Sequence, residues 1–126
     1  MHPTVLIVDD DPEYGNLIAQ VAQLNGLTPA YCQHSSELTA ILKETPEIEL
    51  IFLDVTMPEP DGFEVMEMLS ERKYTGYIVM MSGYDAFLLS ASHELASDYG
   101  LKMLPYLQKP FSIRDIDNIL TSFTAN

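Results

Sequence analysis

The sequence predicts an α/β fold, a single doubly wound sheet of five parallel strands with helices on both faces. Three observations lead there. Short runs such as Val5-Leu6-Ile7-Val8 and Leu50-Ile51-Phe52-Leu53 are apolar at every position, the pattern of strands buried on both sides. Segments with apolar residues at helical spacing follow them, and the alternation of strand and helix recurs five times. The 126 residues make one domain, 1–126, and are about half of what an eight-fold barrel needs. Right-handed crossovers then leave a doubly wound sandwich as the natural closure.

The first strand, Thr4 to Val8, runs into Asp9-Asp10-Asp11-Pro12. Asp11 suits the N-cap of the first helix, with Pro12 at its first position. Tyr14, Leu17, Ile18, Val21 and Ala22 form the helix's apolar stripe, and Asn25-Gly26 closes it. Capping accounts for Asp11 but not for Asp9 and Asp10, which lie between strand and cap. Thr28 to Cys32 is the second strand; Ser35 or Ser36 can cap a helix carrying Leu38, Ile41 and Leu42, which ends before Pro46. The third strand stops at Asp54, and Pro58 forbids further ladder pairing. Asp61 with Glu64 is a variant capping box for a helix that buries Val65, Met66 and Leu69. Tyr77 to Met81 is the fourth strand, stopped by Ser82-Gly83. Asp85 caps a long helix with Leu88, Ala91, Leu95 and Tyr99 on one side, ended by Gly100. Met103 to Leu107 is the fifth strand, assigned to a sheet edge by Pro105. Ser112 caps a last helix with Ile113, Ile116, Leu120 and Phe123 facing inward, and Thr121 to Asn126 reads as a fraying end.

Composition narrows the function. Nineteen acidic against six basic residues leave a formal charge of −13, which repels nucleic acid and anionic membranes. A single cysteine, Cys32, excludes an internal disulfide and reads as a small buried hydrophobe. The start of the chain lacks a basic n-region and cleavage site, and no apolar run is long enough to span a membrane, so a cytoplasmic setting is the expectation. His2, His34 and His93 have no metal-ligand spacing. The seven methionines read as core filler.

In a parallel sheet all strands end on the same edge, which in open α/β folds is where ligands bind. Asp9 and Asp10, Asp54, Ser82 and Lys109 all follow strands and therefore converge there. Carboxylates a few ångströms apart repel by about 4 kcal/mol per close pair at an effective dielectric near 20. Either one is protonated or a cation lies among them, and Mg²⁺ suits a small, open, all-oxygen site. With Lys109 and the Ser82 hydroxyl as donors, the set suits phosphoryl transfer to a carboxylate. Each residue also has a plainer reading: Asp54 as a strand exit, Ser82 as a turn residue, Tyr106 as a half-buried strand tyrosine.

Val8-Asp9-Asp10, Leu53-Asp54 with Met57-Pro58 and Asp61-Gly62, Ser82-Gly83 and Lys109-Pro110-Phe111 together resemble the signature of the response-regulator receiver domain, over residues 4 to 123. Each piece alone is weak; five in order at the right strand ends are specific. The resemblance implies a flavodoxin-like (βα)5 domain and a signalling switch rather than an enzyme. Asp54 would accept a phosphoryl group from the phosphohistidine of a sensor kinase or phosphotransfer protein, and a downstream effector protein or domain would read the change. Asp10, Asp54 and the Thr56 carbonyl would hold Mg²⁺, with Asp9 acting through metal-bound water. Lys109 would pair with the carboxylate or phosphoryl oxygens. Ser82 would move to bond the phosphoryl group and draw in Tyr106, the switch aromatic, and the Lys109-Pro110 bond would be cis.

Two departures from the family pattern stand out. Ser82 to Lys109 is several residues longer than usual, an extension that, with Leu107-Gln108-Lys109-Pro110-Phe111, resembles receivers fused to cyclic-di-GMP phosphodiesterase modules. Thr56 occupies a position that tunes phosphoryl lifetime. It also weighs against the rival reading as a haloacid-dehalogenase-type phosphatase, which needs a second Asp there. A receiver-like interaction module that is never phosphorylated remains the other alternative.

Overall fold

The computed structural model describes residues 4–55, 62–83 and 86–124, with the side chains at 62, 63, 86 and 88 outside the description. The strands are β1 (Val5–Val8), β2 (Pro29–Cys32), β3 (Leu50–Asp54), β4 (Tyr77–Ser82), β5 (Lys102–Met103) and β6 (Leu107–Gln108). The helices are α1 (Pro12–Leu24), α2 (Leu38–Glu44), α3 (Gly62–Glu71), α4 (Ala86–Asp98) and α5 (Ile113–Thr124), and a 3₁₀ turn covers Ser35–Glu37. All pairings are parallel, in the order β2-β1-β3-β4-β5, with β6 also on β4.

The apolar runs form strands because both sides of the sheet are covered. Leu6, Val8, Ile51, Leu53, Ile78 and Met80 point to one face, where Leu38, Val65, Met66, Leu69, Leu89 and Ala96 pack on them from α2, α3 and α4. Their neighbours Val5, Ile7, Leu50, Phe52, Val79 and Met81 point to the other, against Ile18, Val21 and Ala22 of α1 and Ile116, Ile119 and Leu120 of α5. Strand alternation thus divides the core into two layers, as a doubly wound sheet requires.

The helix ends follow the expected chemistry in four places. Asp11 accepts a hydrogen bond from the Glu13 amide at 2.9 Å, with Pro12 first in the helix. Ser112 and Asp115 cap α5 reciprocally, through Asp115 N–H to Ser112 Oγ at 3.2 Å and Ser112 N–H to Asp115 Oδ2 at 2.9 Å. Gly26 and Gly100, at φ of 76° and 84°, supply the left-handed residues after α1 and α4. Asp61 and Asp85, assigned as caps for α3 and α4, lie outside the described residues, as does the Met57-Pro58 break.

Four expectations need correction. The stretch Ser35–Glu37 makes its own 3₁₀ turn, and α2 starts at Leu38 without a side-chain cap, so neither serine caps it. The fifth strand is in two pieces: Ile78 pairs with Met103 and Met81 with Leu107, three residues on in β4 but four in its partner. The extra residue is a bulge at Leu104-Pro105-Tyr106, tolerated because this is an edge and Pro105 has no N–H to pair. In α4 the buried side chains among the described residues are Leu89, Ser92 and Ala96, one position round from the expected stripe, of which Leu95 is half-buried and Ala91 and Tyr99 are exposed. Ile113 is also exposed, and Ile119 takes the inward place in α5.

Gly15, in the first half of α1, is buried beneath the Tyr31 ring; a Cβ there would come within 2.6 Å of Tyr31 Cζ. Alanine favours helix over glycine by about 1 kcal/mol, but overpacking costs about 1–3 kcal/mol. Gly15→Ala is therefore expected to lower stability, read as a lower urea midpoint at unchanged slope. Among the described residues no helix is long and apolar enough to cross a membrane.

Candidate functional site

The strand order reverses direction between β1 and β3, and a doubly wound sheet opens a crevice at the C-terminal ends of such a pair. Asp9 leaves the end of β1 and Asp54 is the last residue of β3; both are buried, while Asp10 is exposed. The three carboxylates offer oxygens within 4.8 Å of one another. Ser82 ends β4, fully buried, and its carbonyl accepts the Lys109 amide hydrogen at 2.7 Å. This bond seats Lys109 just past β6, where the cis Lys109–Pro110 peptide turns the chain away.

The Lys109 ammonium lies 2.9 Å from Asp9 Oδ2 and 3.1 Å from Asp54 Oδ2. To Asp54 it donates a hydrogen bond, and with the buried Asp9 Oδ2 it forms an ion pair. The other Asp9 oxygen accepts the Asp11 amide at 2.8 Å. One ammonium thus pairs with two carboxylates, and a third, Asp10, lies beside them. Burial pushes the Asp9 carboxyl up to about 6, and the Asp54 charge adds to the rise; the Asp11 amide and Lys109 oppose it. Burial disfavours the Lys109 ammonium, but Asp9 and Asp54 outweigh that and hold its pKa above the ordinary lysine value.

Two tyrosines complete the surroundings. Tyr31 donates its hydroxyl to the Asp9 carbonyl at 2.7 Å, and the glycine at 15 makes room for its ring. Burial and the nearby Asp9 and Asp11 charges raise its pKa, so it stays a donor. Tyr14 places its ring face 4.4 Å from the Lys109 ammonium and meets Phe111 at 4.9 Å. Neither tyrosine was marked as part of the site by sequence reasoning: Tyr14 was one residue of a helical stripe and Tyr31 one of a strand.

Asp9, Asp10, Asp54 and Lys109 are therefore brought together, with Ser82 at the adjoining strand end. Tyr106 stands apart, 39% exposed, with its ring edge-on to His93 at 5.6 Å; His93 Nε2–H donates to the Leu104 carbonyl at 3.0 Å. Thr56 lies outside the described residues. The donor set is all oxygen and anionic, with two of its three carboxylates buried, which fits a hard divalent cation such as Mg²⁺.

Both the sequence and the fold have relatives among known proteins. Residues 5–121 match the response regulator receiver domain family. The sensory transduction protein LytT of Enterococcus faecalis is 32% identical over 102 residues, 78% of this chain and 41% of its own length. The positive alginate biosynthesis regulatory protein of Pseudomonas aeruginosa is 32% identical over 120 residues, 92% of this chain and 45% of its own. The chain thus spans less than half the length of these curated relatives. A response regulator from Colwellia psychrerythraea superposes with a TM-score of 0.79 at 30% identity, covering 99% of this chain and 98% of that one.

Proposed function

The chain belongs to the response regulator receiver family, and from that premise we propose that it is a two-component signalling switch that takes a phosphoryl group on Asp54. The observation that carries the reading is the Lys109 ammonium bound 3.1 Å from Asp54 Oδ2 within a cluster of two further carboxylates. Asp9, Asp10 and Asp54, with the Thr56 carbonyl that the family resemblance adds, would hold Mg²⁺. The ion would neutralise charge on the transferring phosphoryl group.

The reaction needs little else from the protein. A carboxylate oxygen of Asp54 attacks phosphorus as the bond to the donor nitrogen or oxygen breaks, giving an acyl phosphate. Lys109 loses the Asp54 charge as partner and turns to the phosphoryl oxygens, and the Ser82 hydroxyl supplies a donor. Tyr106 then follows Ser82 inward, changing the surface between α4 and β6. The donor would be a sensor histidine kinase or phosphotransfer protein, and the reader a downstream effector protein or domain. Cytoplasm suits both this chemistry and a lone buried thiol at Cys32.

Incubation with acetyl phosphate and Mg²⁺ is expected to add one phosphoryl group per chain, removable by hydroxylamine as acyl phosphates are. Chelation of Mg²⁺ should stop the uptake, measured by intact mass. Uptake that survives chelation would remove the metal from the scheme, and no uptake at all would leave an interaction module.

A further inference from the structure

We propose that Tyr14 is a positioning residue for Lys109, its ring face holding the ammonium over Asp54. The inference rests on the reading of Asp54 as phosphoryl acceptor and concerns a residue outside the signature of that site.

Lysine ends in a flexible four-carbon stem and a strongly hydrated charge, so a fixed ammonium needs contacts on several sides. Two sides of Lys109 are taken by Asp9 Oδ2 at 2.9 Å and Asp54 Oδ2 at 3.1 Å. The Tyr14 ring takes another, 4.4 Å from centroid to nitrogen, and the Lys109 side chain is left only 13% exposed. Tyr14 is itself fixed: it lies in the first turn of α1, anchored by the Asp11 cap, and packs on Phe111 at 4.9 Å. It therefore touches the chain on both sides of Pro110.

The three contacts differ in what competes for them. A divalent cation draws on the same carboxylates that hold the lysine, and phosphorylation consumes the Asp54 charge. The ring quadrupole attracts the ammonium in either case and is claimed by neither. Tyr14 is thus the contact that keeps the amine in place while its carboxylate partners change.

A ring face at this distance corresponds to about two- to thirtyfold in an equilibrium or rate. Tyr14→Leu keeps apolar bulk against Phe111 without the quadrupole. In the metal-free protein, hydrogen exchange of the Lys109 ammonium with water, followed by ¹H–¹⁵N NMR, is expected to accelerate about tenfold. With Mg²⁺ and saturating acetyl phosphate, phosphoryl uptake should slow by a similar factor. Tyr14→Phe should restore both. Tyr14→Met, an unbranched filler, should repeat the leucine result and covers the case in which Tyr14→Leu does not fold. Equal exchange in the Leu, Met and Phe variants would overturn the proposal. So would a loss shared by Tyr14→Phe, which would trace the effect to the hydroxyl. Absence of uptake in the unaltered chain would count against Asp54 as acceptor, while the metal-free exchange measurement would still decide the role of Tyr14.

Discussion

Replacing Asp54 with asparagine is expected to abolish phosphoryl uptake from acetyl phosphate while leaving the fold at least as stable. The side chain is nearly isosteric, so the packing of β3 against β4 is kept, and the amide oxygen can still accept a hydrogen bond from Lys109, now 3.1 Å from Asp54 Oδ2. What is lost is the nucleophile: an amide oxygen has little tendency to attack phosphorus, and its nitrogen lone pair is delocalised. One negative charge also leaves a cluster of three carboxylates, two of which share one ammonium. The unfolding midpoint should therefore stay or rise. Together the two readings separate loss of the acceptor from loss of the fold. Hydroxylamine-labile labelling at the unaltered level in Asp54→Asn would move the acceptor to Asp9 or Asp10. Hydroxylamine-resistant labelling would point to the Ser82 hydroxyl.

The carboxylates and lysine were legible in the sequence because strand ends are. Val5 to Val8 and Leu50 to Leu53 are apolar without interruption, which fixes where each strand stops and which residue comes next; parallel pairing then carries those residues to one edge. Helix faces were less legible where their stripe is weak. In α4 the inward positions include Ser92 and Ala96, small residues that hydrophobicity does not distinguish from Ala91, so the face was placed one residue round. The bulge in the fifth strand was only partly legible: Pro105 marked an edge, but an extra residue is a matter of register with β4, which one strand's sequence does not contain. The same applies to Tyr14 and Tyr31. Each is a routine member of its own element and acquires its role from what another element brings against it, Lys109 in one case and the Asp9 carbonyl in the other.

Asp9 carries the second large effect, and its sign follows from burial. The carboxyl is pushed up to about 6 in the folded chain, against 3.8 for an unperturbed group. The folded state therefore binds a proton more tightly than the unfolded state, and stability falls as pH rises between those two values. By linkage the metal-free protein pays up to about 3 kcal/mol for this carboxylate at neutral pH, with roughly half of the loss between about pH 5 and pH 7.5. Asparagine does not titrate, and its carbonyl can still accept the Asp11 amide hydrogen. Asp9→Asn is thus expected to stabilise the metal-free chain at neutral pH by about 1–3 kcal/mol, a gain that shrinks toward about pH 5. Urea unfolding at a series of pH values reads this directly. Mg²⁺ should work in the opposite direction on the pair: it relieves the charge in the unaltered chain and raises its midpoint, and it does less for Asp9→Asn. A variant that is less stable than the unaltered chain at neutral pH would mean that the ion pair with Lys109 outweighs the burial of Asp9. The site would then be a structural salt bridge rather than a cluster of acids strained toward a cation.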